Sequence, residues 1–579
     1  MNTNTEPGLY KSTMNGKANN EAAPKGIGFI IGASSVGTLI EWYDFYIFGM
    51  LATIISKQFF PEDSGTSALL STLAIFAAGF IVRPFGALVF GRLGDLIGRK
   101  YTFLLTLVLM GGSTFLIGLV PGYATIGWAA PALVLILRLV QGLALGGEYG
   151  GAATYVAEHA PAHRRGFWTS WIQTTATLGL FLALGVIILI RQSQGVENFG
   201  AEWGGWRIPF WISLALVIVS VFIRMRMSES PLFAKLKHEG KTSTNPLKES
   251  FGHKANFKMV LLALFGAVMG QGVVWYTGQF YAQSFIENVC KIDFVQSRNI
   301  IIIAIAMATP FFVIFGSLSD RIGRKWIMLT GMFLGVVSYW PLFQKMYSIT
   351  DANERTAMID AGNSSASERT AHFDAKHPDR LLLKQTFTTA YTDGSVFKNT
   401  KTDTVKLASG FTPANKTLSI TVPAADGSTE VITAPLNAGK GTTLSDGSTT
   451  VNALSKSAKA SESVEKNMGS SVYWQLIFIV FVQIIFVTMV YGPIAAFLVE
   501  MFPTKIRYTS MSLPYHIGNG VFGGLVPFLG TLIVEFTKTA DKPAGNPLAG
   551  LLYPIGVAAV CFIIGALYLR NKIDQDVMD

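Results

Sequence analysis

The chain has 579 residues, of which 50% are hydrophobic and 14% are charged, whereas an ordinary soluble domain carries roughly 25% charged residues. This composition excludes a disordered chain, which needs low hydrophobicity, and indicates a membrane protein. The net charge is +10, and the two cysteines, Cys290 and Cys561, allow neither a disulfide framework nor a cysteine zinc site.

Apolar stretches long enough to cross a bilayer, about 20 residues each, recur along the chain. They predict an all-α integral membrane protein with twelve spans, six on either side of a polar linker at 226–257. The predicted spans are 27–56, 67–91, 101–121, 126–157, 166–190 and 206–225, then 258–286, 297–318, 325–346, 472–500, 508–535 and 549–569.

Lysine and arginine are concentrated in the loops on one side of these spans, which the positive-inside rule identifies as the cytoplasmic side. Both tails, 1–26 and 571–579, are therefore expected in the cytoplasm. Membrane topology explains much of the basic excess, so no nucleic-acid partner is expected.

The segment 347–470 is polar and contains no stretch of span length, so it is expected outside the membrane on the extracytoplasmic side. Alternating residues at 418–422 and 430–432, separated by Asp426-Gly427, are typical of strands joined by a turn. A small β-rich insert is predicted, and a disordered linker is the alternative. The insert separates 258–346 from 471–570 in the second half, whereas the first half, 27–225, is uninterrupted.

Two motifs occur twice. Gly91–Lys100 recurs as Gly316–Lys325, and the pattern Glu158-x-x-Pro-x-x-x-Arg165 recurs as Glu500-x-x-Pro-x-x-x-Arg507. The first pair lies 225 residues apart and the second 342 apart. The difference of 117 matches the extra length between the third and fourth spans of the second half, so the two halves are an internal repeat carrying one insertion.

The duplicated loops, together with Arg138-Leu-Val-Gln141-Gly142, resemble signature motifs of the major facilitator superfamily. Other segments resemble the metabolite:proton symporter family, which includes shikimate, α-ketoglutarate, citrate and proline/betaine carriers. These segments are Thr38–Phe45, Arg83–Gly86, Gly146–Tyr149, Gly205–Phe210 and Met501–Tyr508. The resemblance implies a major facilitator fold of 12 transmembrane helices in two six-helix bundles, and a functional monomer in a bacterial inner membrane. The insert departs from the family pattern.

Two carboxylates lie inside the first predicted span. Glu41 and Asp44 are three residues apart and therefore share one helix face. An ionised group at the bilayer centre costs from about 2.5 kcal/mol upward, which makes such residues functional candidates. Asp44 is the predicted proton-coupling residue, with Glu41 as its helper or as an alternative proton carrier. A fixed salt bridge or packing hydrogen bond is the structural alternative for each.

Arg138 and Arg83 are intramembrane cations. The planar guanidinium of Arg138 can bind either Asp44 or a substrate carboxylate. A purely structural contact is the alternative for Arg138. Arg83 is expected to be structural. For His516 and Asn519, cavity lining and interhelical hydrogen bonding remain equal alternatives. The candidate substrate-binding residues are Arg138, Tyr43, Glu148, Gln271, His516 and Asn519.

The duplicated charges are predicted to form a cytoplasmic gate, as the resemblance implies, which latches the halves when the cavity opens outward. The gate residues are Asp95, Arg99, Glu158 and Arg165 in one half and Asp320, Arg324, Glu500 and Arg507 in the other.

Motifs for catalysis are missing from the sequence, which contains no nucleophile elbow, Walker loop or zinc-hydrolase pair. His159 and His163 flank Pro161 and are interpreted as loop residues rather than metal ligands. No cofactor or metal is expected. The prediction is proton-coupled symport of a small organic acid or zwitterionic osmolyte across the lipid bilayer. The alternatives are a passive uniporter and a receptor that uses the insert.

Overall fold

A computed structural model describes most of the chain. The described residues are 27–61, 65–97, 99–225, 238–239, 245–351, 364–373, 380–406, 417–423, 429–435, 442–444, 450–451, 455–456, 461–542 and 544–570. The two predicted tails and part of the predicted linker lie outside these ranges.

The first half is helical and begins with a broken span. Helices α1 and α2 meet at an angle of 61°, so a bend after Met50 divides the span predicted at 27–56. The helices are α1 Ile27–Met50, α2 Ala52–Phe59, α3 Gly65–Ile81, α4 Arg83–Ile97, α5 Arg99–Ile117, α6 Tyr123–Ile126, α7 Ala129–Leu145, α8 Glu148–His159, α9 Arg165–Gly200, and α10 Ile208–Met225.

The second half repeats this helical pattern, with π-helical turns in two of its spans. The helices are α11 Pro246–Gly252, α12 Lys254–Ala263, α13 Met269–Tyr276, α14 Ala282–Ser284, α15 Phe294–Ile322, α16 Arg324–Thr350, α17 Ser470–Tyr491, α18 Ile494–Met501, α19 Arg507–His516, α20 Val526–Phe536 and α21 Leu552–Tyr568. The π segments are Leu264–Val268, Thr277–Tyr281, Phe285–Val289 and Ile517–Gly523.

Ten helical segments in the described ranges are long and apolar enough to cross a membrane, and the bent pair α1–α2 makes an eleventh. At the position of the third predicted span, α5 contains a shorter apolar stretch, Leu104–Ile117. All twelve predicted spans therefore correspond to helices.

The insert lies between α16 and α17, and its described parts form antiparallel strands. Strand β3 is central, because it pairs with β2, β8 and β9, and β2 pairs in turn with β1. A separate sheet of three strands has the order β5-β4-β7. The strands are β1 Ser364–Phe373, β2 Arg380–Ala390, β3 Val396–Lys406, β4 Thr417–Pro423, β5 Thr429–Pro435, β6 Thr442–Leu444, β7 Thr450–Val451, β8 Ser455–Lys456 and β9 Ser461–Asn467.

Small residues let the helices of the first half approach closely. A Cβ at Gly142 of α7 would lie 1.9 Å from the carbonyl oxygen of Gly79 in α3, and one at Gly146 would lie 2.2 Å from that of Arg83. These glycines therefore serve helix packing, as in other membrane bundles. We call the end of the bundle that carries loops 91–100 and 316–325 the loop side, and the opposite end the insert side.

Candidate functional site

Two aspartates of the duplicated loops each bind the first turn of a helix from the other half. The carboxylate of Asp320 accepts hydrogen bonds from the backbone N–H groups of Gly166 and Phe167, both at 2.8 Å. The carboxylate of Asp95 accepts from the N–H of Thr509 at 3.2 Å and from its hydroxyl at 2.6 Å. An anion is favourable at a helix N-terminus, so these reciprocal contacts hold the loop side closed.

Ion pairs reinforce this closure in the same reciprocal pattern. Arg165 of the first half lies 3.7 Å from Glu500 of the second, and Arg507 of the second lies 3.5 Å from Glu158 of the first. Arg324 joins Glu500 at 2.8 Å. It also binds Asp320 at 2.7 Å. The structure thus brings together seven of the eight predicted gate residues, while the side chain of Arg99 lies outside the described part.

Gly323 explains the glycine of the loop motif. Its φ of +96° lies in the region that favours glycine, and it is the single residue between α15 and α16. The sharp turn places Asp320 and Arg324 on adjacent helix ends, where they pair.

Asp44 is fully buried in α1, on the face that packs inside the first half. Its carboxyl group lies against Gly111 of α5, where an added Cβ would be 3.4 Å from Oδ2, and beside Ser213 of α10. Among the described residues, no group has hydrogen-bonding geometry to either carboxyl oxygen. Glu41 is also buried, one turn earlier in the same helix.

Arg138 is buried on α7 among aromatic rings. Its guanidinium carbon lies 4.6 to 4.7 Å from the ring centroids of Phe45, Phe48 and Phe76. Nη1 donates to the side-chain oxygen of Gln141, whereas Nε and Nη2 have no partner among the described residues. The predicted pairing with Asp44 is therefore not formed in this conformation. The buried cation instead presents two free donor groups.

Arg83 lies near Arg138, at the start of α4. Its guanidinium carbon is 4.1 Å from the ring centroid of Phe80 and 4.5 Å from that of Phe45. Within the described ranges, Nε and Nη2 of Arg83 and both ring nitrogens of His516 have no hydrogen-bond partner. The site therefore contains a second buried cation, at a residue that the sequence analysis predicts to be structural.

The other predicted substrate-binding residues are placed differently. The Tyr43 hydroxyl donates to the Pro209 carbonyl at 2.9 Å, within the first half. Gln271 and Asn519 form a reciprocal amide pair at 3.1 and 2.7 Å, which joins two spans of the second half. Glu148 begins α8, and its side chain lies outside the described part.

An aromatic cluster joins the two halves at the centre, and the sequence reasoning missed it. We define it as Trp42, Tyr46, Trp275, Phe280 and Tyr491. Ring centroids of Trp42 and Trp275 are 5.4 Å apart, those of Tyr46 and Trp275 are 5.9 Å apart, and those of Tyr46 and Phe280 are 5.2 Å apart. Tyr491 adds a ring 6.0 Å from Trp275. The aromatic run from Trp42 to Tyr46 in the sequence was the available signal.

Polar groups lie within and beside this cluster. Trp275 Nε1, the Tyr46 hydroxyl and the side-chain amides of Gln279 and Gln483 are buried without a hydrogen-bond partner in the described part of the chain. An unpaired buried polar group is costly. These side chains are therefore candidate hydrogen-bonding partners for a ligand.

The insert side is also closed between the halves. The Arg298 guanidinium of α15 donates to the Met50 carbonyl of α1 at 2.9 Å. A cavity of about 50 Å³ lies beside this contact, between Gly49 and Phe76 of the first half and Ser284 of the second. Contacts between the two halves are therefore present at both ends of the bundle.

Two pseudo-symmetric helical halves around a buried polar centre define a multi-pass membrane transporter. Two solved structures of the Escherichia coli xylose transporter XylE share the fold. The partially occluded inward-open form matches with a TM-score of 0.57 and 14% identity, covering 95% of this chain and 99% of that one. The proton:xylose symporter XylE bound to 6-bromo-6-deoxy-D-glucose gives 0.59 and 13%, covering 95% and 97%. The major facilitator fold is thereby confirmed.

Residues 30–362 match the family described as sugar (and other) transporter. The chain belongs to this family, whose members are transporters and not enzymes. It is 38% identical over 312 residues to the proline/betaine transporter of Salmonella typhimurium, covering 52% of this chain and 61% of that one. It is 34% identical over 321 residues to the α-ketoglutarate permease of Escherichia coli, covering 55% and 72%. For the citrate-proton symporter of Salmonella typhi the identity is 33% over 326 residues, covering 56% and 73%. These relatives confirm the predicted metabolite:proton symporter family, although the match spans less than two thirds of the proline/betaine transporter.

Proposed function

We propose that this chain is a proton-coupled symporter that imports a small zwitterion bearing a carboxylate and a quaternary or secondary ammonium group, of the betaine and proline class. It works by alternating access in a bacterial inner membrane, with the loop side and both termini in the cytoplasm and the insert outside. The observation that carries the proposal is the buried Arg138 guanidinium, whose Nε and Nη2 lack a partner among the described residues.

A carboxylate is the group that best fits Arg138. Two free N–H groups on one planar guanidinium match the two oxygens of a carboxylate, and such bidentate pairs are strong and geometrically specific. The rings of Phe45, Phe48 and Phe76 hold the guanidinium in place. Without an anion, the buried positive charge is poorly compensated, so the substrate carboxylate would supply the missing charge.

An ammonium group fits the aromatic cluster. Cations bind the faces of Trp and Tyr, and aromatic cages recognise quaternary ammonium ligands. Trp42 and Tyr46 come from the first half and Trp275 from the second. A zwitterion that spans Arg138 and this cluster would therefore draw the two halves together, as occlusion of the substrate requires.

Proton coupling is assigned to Asp44. An ionised carboxylate is disfavoured at this fully buried position, where the neutral Ser213 hydroxyl lies beside it and no cation pairs with it among the described residues. The neutral acid is therefore the form that fits this conformation. Gln141 accepts a hydrogen bond from Arg138 and donates one to the Asp44 backbone carbonyl at 3.2 Å. Loss of the proton would place a negative charge on Asp44, whose backbone is linked to Arg138 through Gln141. In the proposed cycle this charge weakens binding of the substrate carboxylate.

A dicarboxylate is the second candidate, because Arg83 adds a second buried guanidinium with two unpaired nitrogens in the described structure. Two cations could each take one carboxylate of the same molecule. In that case the aromatic cluster would cover the bound substrate without binding a charged group.

Substrate binding to purified protein distinguishes these candidates. Glycine betaine should bind more tightly than 3,3-dimethylbutanoate, which has the same shape without the positive charge, and more tightly than succinate. Trp275→Leu should weaken betaine binding by roughly 2- to 30-fold, since a cation–π contact contributes about 0.5 to 2 kcal/mol, and should leave 3,3-dimethylbutanoate less affected. Trp203→Leu, at an exposed tryptophan, is the control. Equal binding of the two shape analogues would contradict the ammonium site, and tighter succinate binding would favour the dicarboxylate.

A further inference from the structure

The last strand of the insert is joined to the loop that precedes α15. The backbone N–H of Asp293 donates to the Lys466 carbonyl at 2.9 Å, and the Lys466 N–H donates to the Lys291 carbonyl at 2.8 Å. The Gln296 side chain accepts from the Met468 N–H at 2.7 Å and donates to the Met468 carbonyl at 2.9 Å. Strand β9 and the residue that follows it are thus fixed to the start of α15.

The same end of α15 makes contacts between the halves. Arg298 donates to the Met50 carbonyl at 2.9 Å and forms an ion pair with Glu287 at 3.1 Å. The Phe294 ring receives the guanidinium of Arg298 at 3.2 Å from its centroid and that of Arg191, from the first half, at 3.7 Å. Asp293 caps the helix by accepting from the N–H groups of Val295 and Gln296.

We propose that the insert positions a gate on the insert side. This gate consists of the contacts that Phe294 and Arg298 make with the first half. Through Lys466 and Met468 it fixes the N-terminus of α15, and α15 in turn holds Phe294 and Arg298 against the first half. The inference rests on the alternating access of the proposed function, since the contacts of α15 with the first half must break whenever the insert side opens. Any movement of the insert then changes the contacts of this gate. Loosening the insert from α15 favours opening of the insert side.

A carboxyl pair at this junction makes it sensitive to protons. A hydrogen bond with Asp293, together with burial, raises the pKa of Glu465 above its ordinary value, while the positive charges of Lys398 on β3 and Arg191 on α9 act in the opposite direction. Docking of the insert therefore favours the protonated form of Glu465 relative to the free carboxyl group. Acidification stabilises docking, and a rise in pH through the raised pKa weakens it.

The test is alkylation of a reporter cysteine in full-length protein. Ser284→Cys places a thiol in the 50 Å³ cavity between the halves, in a background in which Cys290 and Cys561 are serine. Gln296→Leu removes both hydrogen bonds to Met468 and should accelerate alkylation about threefold or more. Gln475→Leu, the same change at an exposed glutamine of α17, should leave the rate unchanged. Size-exclusion profiles and melting temperatures show whether each variant is folded.

Arg298→Met tests whether the insert acts through the gate. It should accelerate alkylation by itself, and adding Gln296→Leu should then have little further effect, because both changes release the same contact. Each rate is divided by that of an exposed cysteine at the same pH, because the thiolate is the reactive form. The corrected rate should rise with pH in the parent protein and lose this dependence in Glu465→Gln. An unchanged rate in folded Gln296→Leu, or fully additive effects with Arg298→Met, would overturn the proposal. Alkylation needs neither substrate nor proton gradient, so failed uptake in proteoliposomes would count against the proposed function alone.

Discussion

Gln141 joins Arg138 to Asp44. Its side-chain oxygen accepts a hydrogen bond from the Arg138 guanidinium, and its amide donates to the Asp44 carbonyl at 3.2 Å and to the Thr114 hydroxyl at 2.8 Å. These three contacts fix the orientation of Gln141. We therefore regard Gln141 as a positioning residue between Arg138, the proposed substrate-binding residue, and Asp44, the proposed proton site.

Gln141→Leu should reduce the number of protons moved per substrate while leaving some substrate binding, because Arg138 loses its acceptor and its link to α1. Thr114→Val should have a weaker effect in the same direction. Thr106→Val is its matched control, since Thr106 also lies on α5 and also donates to the carbonyl four residues earlier. Simultaneous recording of substrate and proton flux in proteoliposomes measures the ratio. An unchanged ratio in Gln141→Leu would show that the residue is a packing element.

Arg138→Lys should lower substrate affinity roughly tenfold or more, because hydrogen bonds to a charged group contribute about 1.5 to 3 kcal/mol and the ammonium cannot form the bidentate pair. The positive charge is retained, so a purely electrostatic role predicts near-normal affinity instead. Equilibrium binding separates these outcomes. Arg321→Lys, at an exposed residue of the loop side, is the control.

Asp95→Asn and Asp320→Asn should each shift the transporter toward opening on the loop side. Each removes an anion from a helix N-terminus of the other half, an interaction of about 1 kcal/mol, which is roughly a fivefold change in the equilibrium. Cysteine accessibility on the loop side measures the shift, and Arg321→Gln controls for general loss of loop charge. Normal uptake with unchanged accessibility in both variants would mean that the aspartates contribute only to topology.

Gln271→Leu should destabilise the protein by about 1 to 3 kcal/mol, since the buried Asn519 amide is left without its partner. The double variant Gln271→Leu/Asn519→Leu should recover part of this loss, because both polar groups are removed together. Thermal unfolding in detergent measures both. A large loss of substrate affinity with unchanged stability would instead favour the predicted role of these residues in substrate binding.

The repeat made the loop side predictable. The same motif lies after the second span of each half, so Asp95 and Asp320 reach equivalent positions, and the reciprocal contacts with Thr509 and Gly166 follow from that symmetry. The insert boundaries were also predictable from sequence, since α16 ends at Thr350 and α17 begins at Ser470.

The centre of the molecule was less predictable because its spans are apolar on all sides. A helix of this kind gives no periodic signal for the face that points to the partner half. The sequence predicts Tyr43 as a substrate-binding residue, whereas in the structure its hydroxyl binds the Pro209 carbonyl, and Trp42 and Tyr46 face the second half. The partner Trp275 lies more than two hundred residues away in the sequence, beyond the reach of local patterns.

Asp44→Asn tests most directly whether Asp44 carries the coupled proton. Protein reconstituted in liposomes is given an inward pH gradient, and accumulation of radiolabelled substrate is compared with exchange of the same substrate at equal concentrations. Asp44→Asn should retain measurable exchange but should not concentrate substrate in response to the gradient. Gradient-driven accumulation by Asp44→Asn at the parental level would contradict the assignment.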